Sequence, residues 1–199
     1  MLLSKYMEQN LLENYIKEIR TIDLAKANIF SLLLFIPIIL VYGLPFYLIW
    51  GKLDFIGVFV ESFRENPLFP IAVVIVVLAG IVVHELIHGA TFALFAKHGF
   101  KSIKFGILLK MLTPYCHCKE PLRVRQYIVG AIMPAIILGV LPAFIAIFTG
   151  NMFLLIFAVF FTGAAAGDFM IIHLIWKEDK DTMVLDHPSE AGCFIFKKI

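Results

Sequence analysis

The order of apolar and polar positions divides the chain into long apolar runs separated by short polar stretches. Four runs contain no Lys or Arg: about residues 27–50, 68–96, 127–148 and 152–176. Each exceeds the roughly 20 residues that a helix needs to cross a bilayer's hydrocarbon core, so the pattern predicts four transmembrane helices. Pro134 and Pro142 lie inside the third run and are expected to kink it. Before the first run, Leu12, Tyr15, Ile16, Ile19 and Ile22 recur at helical spacing with charges opposite. That stripe predicts an amphipathic helix over Leu11 to Leu24, lying on the membrane surface. The loop holding Phe55, Ile56, Val58, Phe59 and Phe63 is apolar enough to dip into the outer interface. Weak alternation predicts a strand over Lys101 to Leu112, and Thr182 to Phe196 reads as a strand pair around Pro188 and Gly192. The expected fold class is an all-α membrane protein: four transmembrane helices, an amphipathic N-terminal helix and small cytoplasmic β elements, in one domain over residues 1–199.

Composition sharpens this picture. Of the 199 residues, 61% are hydrophobic and only 16% charged, against about half apolar in soluble domains. The net charge of +2 and the absence of any nucleic-acid motif argue against a DNA or RNA partner. The three cysteines, Cys116, Cys118 and Cys193, are no disulfide framework. The first 26 residues lack the short apolar core and small-residue cleavage site of a signal peptide, so retention of the amino terminus is expected. Basic residues set the expected orientation. With both termini inside, fifteen of the 17 Lys and Arg residues face the cytoplasm, which is the topology the positive-inside rule selects.

The candidate chemistry lies in the second run, at His84-Glu85-Leu86-Ile87-His88. Positions i and i+4 share a helix face, so both imidazoles reach one ion. Glu85 between them is placed to act as a general base on water. Zinc suits a nitrogen and oxygen donor set with one open position. The only acidic residues in the four runs are Glu85 and Asp168, and no basic residue in any run pairs with them. A carboxylate costs about 2.5–3.5 kcal/mol at a membrane helix centre, whereas a divalent cation offsets two at once. His84 lies 16 residues after Leu68 and Asp168 lies 16 after Met152. Both therefore sit roughly 24 Å below the outer boundary. Asp168 is accordingly the expected third ligand of one Zn2+ per chain. The run Gly163-Ala-Ala-Ala-Gly167 just before it suits close helix approach, and Gly89 suits the same end.

A membrane helix with His-Glu-Leu-Ile-His-Gly and an Asp on a later helix resembles the site-2 protease class of intramembrane zinc proteases. That resemblance implies zinc on His84, His88 and Asp168, with Glu85 activating water. The whole chain is also similar to a small bacterial family of membrane proteins described as putative zincin peptidases. The shared features are the HELxHG motif, the Cys116-His117-Cys118 basic loop, the third helix with Pro134, and the tail with Asp186-His187-Pro188. The sequence departs from the site-2 pattern at Asp168, which stands in an Ala-Gly-Asp-Phe context, and at Met133-Pro134-Ala135. It carries no PDZ-like insertion.

The function these features imply is an intramembrane zinc endopeptidase whose partner is a membrane protein or peptide substrate in the lipid bilayer of the cell membrane. The alternatives are a metal-binding transporter, which needs no general base, and a catalytically inactive membrane scaffold. His173, five residues past Asp168, reads as an interfacial histidine or a further ligand. Cys116-His117-Cys118 reads as a plain loop or a second metal site. Asp186, His187 and Glu190 read as solvated turn residues or as groups lying over the site.

Overall fold

The structure, a computed structural model, describes residues 15–108, 113–188 and 190–198. Two compact units make up the chain. Of the described residues, the first combines those within 1–26, 85–133 and 168–199; the second combines 27–84 and 134–167.

The second unit is helical. Helix α1 spans Leu24–Trp50, α2 Phe55–Glu65 and α3 begins at Phe69. The expected apolar loop is thus the helix α2. Asp54 caps it by accepting the Gly57 N–H at 2.7 Å. Ile56, Val60 and Phe63 form an exposed row along it. Further along the chain come a π-helical segment, Ala135–Val140, then α5 (Leu141–Thr149) and α6 (Met152–Ala164). The core here gathers Phe46, Ala146, Met152 and Leu155. Trp50 Nε1 donates to the Ile147 carbonyl at 2.9 Å. A Cβ on Gly163 would fall 2.4 Å from the Phe35 ring, so this glycine does serve close packing, while Gly167 has open space beside it.

The first unit is mixed. Four strands form one sheet in the order β1-β6-β5-β4: Tyr15–Thr21, Gly192–Lys198, Met183–Asp186 and Leu122–Arg123. Strands β2 (Ile103–Leu108) and β3 (Thr113–Cys118) form a separate hairpin. The end of α3, helix α4 (Val124–Pro134) and helix α7 (Ala166–Ile175) complete the unit. Its core includes Phe92, Tyr127, Ile175, Val184, Cys193 and Ile195.

The amphipathic helix expected over Leu11 to Leu24 is not what forms. Residues 11–14 lie outside the described residues, and Tyr15–Thr21 is the strand β1, paired antiparallel with all seven residues of β6. The apolar run Phe194-Ile195-Phe196 needs a neighbour on that side, and ladder pairing outweighs the local helical stripe. Glu18 and Arg20 show the outcome, since their 2.9 Å contact across two residues is a strand spacing. The tail strands are β5 and β6, as expected. The strand expected over Lys101 to Leu112 is β2, with residues 109–112 outside the described set. The chain is therefore mostly helical with two antiparallel sheets rather than all-α.

Among the described residues, three helices are long and apolar enough to cross a membrane: 26–50, 69–95 and 124–149, the last running through α4, the π segment and α5. Helices α6 and α7 form a fourth span only if their 42° bend is taken as one broken crossing. The distortion of the third expected span follows Pro134 as the π segment, while Pro142 sits in the first turn of α5, where proline is tolerated.

Candidate metal centre

Helix α3 carries His84, Glu85 and His88 within one turn and a little more. Both histidines ride on the one unbroken helix α3, which ends at Phe95. Asp168 lies in the first turn of α7. Ligand atoms of His84, His88 and Asp168 all lie within 4.8 Å of one another, and this is the one such group among the described residues. His84 and His88 are 8% and 6% exposed. Asp168 is more open, at 22%.

The donor set fits zinc. Two imidazole nitrogens and one carboxylate oxygen supply three ligands and leave a fourth position. His88 Nε2 stands 3.1 Å from Asp168 Oδ1. Ligands bound to zinc at 2.0–2.2 Å in a tetrahedron lie roughly 3.3 Å apart, so this pair is already at coordination spacing. The opposite ring nitrogen, His88 Nδ1, is held by the Gly130 carbonyl at 2.9 Å. That is the outer-shell contact metal-binding histidines use to fix their orientation. Phe92, one turn on, stacks on the His88 ring with centroids 5.9 Å apart and planes 10° apart. Tyr127 also packs on Phe92, with centroids 5.2 Å apart.

Glu85 is half-buried and near enough to the hairpin for its charge to act on the Cys116 thiol. The hairpin is brought to this place by Gly89. A Cβ there would fall 2.4 Å from the Phe105 ring and 3.3 Å from Ile103. Gly89 therefore admits a strand where a second helix was expected. Phe105 pairs with Cys116 and Ile103 with Cys118, which puts all four on the face of the hairpin turned to α3.

The remaining sequence candidates fall elsewhere. Cys116, His117 and Cys118 lie along β3 and form no metal-ligating group among the described residues. Burial raises the thiols, Cys118 to about 12, and Cys116 above its ordinary value. His173 is exposed and stacks on Trp176 at 6.4 Å. His187 accepts the Glu190 N–H at 3.0 Å and packs on Phe194, as a turn residue does. Asp186 is no solvated turn residue. Its carboxylate takes the Tyr127 hydroxyl on one oxygen and the Cys118 N–H at 2.7 Å on the other, tying sheet, hairpin and α4 together.

Two features lay outside the sequence reading. One is the Gly130 carbonyl on His88. The other is a clasp at the base of the hairpin. There the Glu120 carboxylate accepts Ser102 Oγ–H at 2.6 Å and the Lys97 N–H at 2.8 Å, and it also bonds His98 Nδ1. Glu120, the one acidic residue in a stretch otherwise rich in Lys and Arg, was the available signal for the clasp.

The profile of a family described as putative zincin peptidase aligns with residues 77–183, which is 107 of the 199 residues. No curated protein and no solved structure matches the chain.

Proposed function

Because the chain belongs to the putative zincin peptidase family, we propose that it is a multi-pass membrane zinc metallopeptidase that cuts peptide bonds within or beside the bilayer. The observation that carries this reading is the convergence of His84, His88 and Asp168, with Glu85 in the intervening turn. Membrane embedding is supported by the apolar surface of the long helices. Leu32, Ile36, Leu40, Ile75, Val82 and Leu86 are all at least half exposed in the isolated chain. The distribution of basic residues favours cytoplasmic termini. The site-2 protease class, which the motif resembles, offers a mechanistic parallel.

His84, His88 and Asp168 would hold zinc. When bound, the ion would polarise the scissile carbonyl and bring the pKa of water towards neutrality. Glu85 takes a proton from the attacking water and returns it to the departing amine nitrogen, as a general base and then a general acid. A transporter needs the three ligands but has no use for that carboxylate. A helical substrate hides its peptide bonds and must be drawn out before cleavage. The β2–β3 hairpin, seated on Gly89 beside the site, offers a strand edge for that purpose.

The test compares wild type with Glu85→Gln in detergent or nanodiscs. Zinc content and cleavage of single-span substrates are measured together. Stoichiometric zinc in both, with cleavage only in the wild type, is the expected result. A wild type without stoichiometric zinc, or Asp168→Ala holding it undiminished, sinks the site. Zinc flux that survives Glu85→Gln points to transport instead.

A further inference from the structure

Helix α4 ends at Pro134, four residues beyond Gly130. In an α-helix the carbonyl of residue 130 would accept the N–H of residue 134. Proline has no N–H, and its ring crowds the carbonyl one turn before it. Beyond Pro134 the ladder widens into the π segment Ala135–Val140, one of the adjustments that accommodate proline in membrane helices.

The Gly130 carbonyl meets His88 Nδ1 at 2.9 Å. A carbonyl only accepts hydrogen bonds, so Nδ1 must carry the proton. The lone pair of the neutral ring then lies on Nε2, the nitrogen 3.1 Å from Asp168. The approach also requires a glycine. A Cβ at 130 would fall 2.1 Å from Phe92, the ring stacked on His88. Tyr127, one turn earlier on α4, packs on that same ring. The contact thus needs two residues at spacing four, Gly130 to let the helices close and Pro134 to leave the carbonyl without its helical donor.

We infer that Pro134 is a positioning residue for the metal centre: by withholding a backbone N–H it yields the Gly130 carbonyl to His88. This fixes the tautomer of the ring and aims Nε2 at the ion. The inference rests on the reading of His88 as a zinc ligand. Proline here acts through the atom it lacks; the kink is secondary.

The experiment separates those two effects. Pro134→Ala restores the N–H. The ester analogue of alanine at position 134, an α-hydroxy acid introduced by nonsense suppression, removes both ring and N–H. Zinc affinity is measured by competition with a chelator. Exchange of the His88 Nδ1 proton with water is followed by NMR of the metal-free protein labelled with 15N-histidine, the resonance being assigned by its loss in His88→Gln. Helix content by circular dichroism confirms that each variant is folded. Pro134→Ala is expected to weaken zinc binding about 10–100-fold and to speed proton exchange, and the ester analogue to restore both. Wild-type affinity and slow exchange in Pro134→Ala overturn the inference. So does an ester analogue as impaired as the alanine variant, because the ring would then be what matters. Accelerated exchange in Pro134→Ala, in a protein whose wild type takes up no zinc, upholds the hydrogen bond and sinks the zinc reading alone.

Discussion

Phe105 of the hairpin lies with its ring against α3 at Gly89, in the space where a side chain would begin. Gly89→Ala therefore sets two effects against each other. Overpacking costs about 1–3 kcal/mol, while alanine in a helix gains about 0.5–1 kcal/mol over glycine. In wild type the first dominates and the variant is destabilised. In a Phe105→Ala background the obstacle is gone and Gly89→Ala becomes stabilising. Denaturant unfolding of the four proteins checks this; an equal cost in both backgrounds would mean that the ring does not fill that space.

The Glu120 clasp predicts an acid sensitivity. Burial works to raise this carboxyl, but hydrogen bonds from Ser102 and His98 and from the Lys97 N–H outweigh it and hold the pKa below its ordinary 4.5. The folded value is below the unfolded one. The stabilisation is thus fully present above about 4.5 and is lost as pH falls through the folded value. Glu120→Gln is expected to cost about 1.5–3 kcal/mol at neutral pH and to flatten the acid limb of the stability curve. A limb unchanged by the substitution would place the titrating group elsewhere.

Zinc binding to the folded state alone predicts a linked gain in stability. Free zinc at 100 times its dissociation constant adds about 2.7 kcal/mol. Thermal unfolding with and without chelator reads the gain. Asp168→Ala is expected to remove most of it, because only two of the three converging groups remain. A gain equal to wild type in that variant would assign the effect to a different zinc site.

The cysteines are expected to be inert. Burial is the largest cause of the raised thiols at Cys116, Cys118 and Cys193, the last two reaching about 12. Thiolate is the reactive form. Iodoacetamide at pH 8 should label the folded protein roughly 1,000-fold more slowly than the denatured one. Rapid labelling of Cys116 in the folded chain would show the hairpin lifting from α3.

Much of the candidate site was legible because its parts are chemically rare in their setting. His84, Glu85, His88 and Asp168 are polar groups in runs that are otherwise apolar, and burying them requires a partner. The long helices were legible for the same reason, and the first two expected spans agree with the structure to within a few residues. Strand β1 was misread because Tyr15, Ile16, Ile19 and Ile22 satisfy a helical stripe locally, while the pairing that decides the matter lies at the other end of the chain. Ile16 and Ile19, two residues of that stripe, lie on β1 and are 57% and 63% exposed. The Gly130 contact was hidden differently. Gly130 and Pro134 are visible as a pair, but the acceptor they create has meaning only once α3 stands beside α4.

The break between α6 and α7 has its own consequence for Asp168. An unbroken helix would have placed this residue in mid-helix, away from any helix terminus. Because α7 starts at Ala166, Asp168 falls in a first turn, where the helix macrodipole presents partial positive charge. That terminus offsets an anion by about 0.3–1 kcal/mol, and up to about 2 in buried settings. The backbone thus acts as a provisional counter-ion.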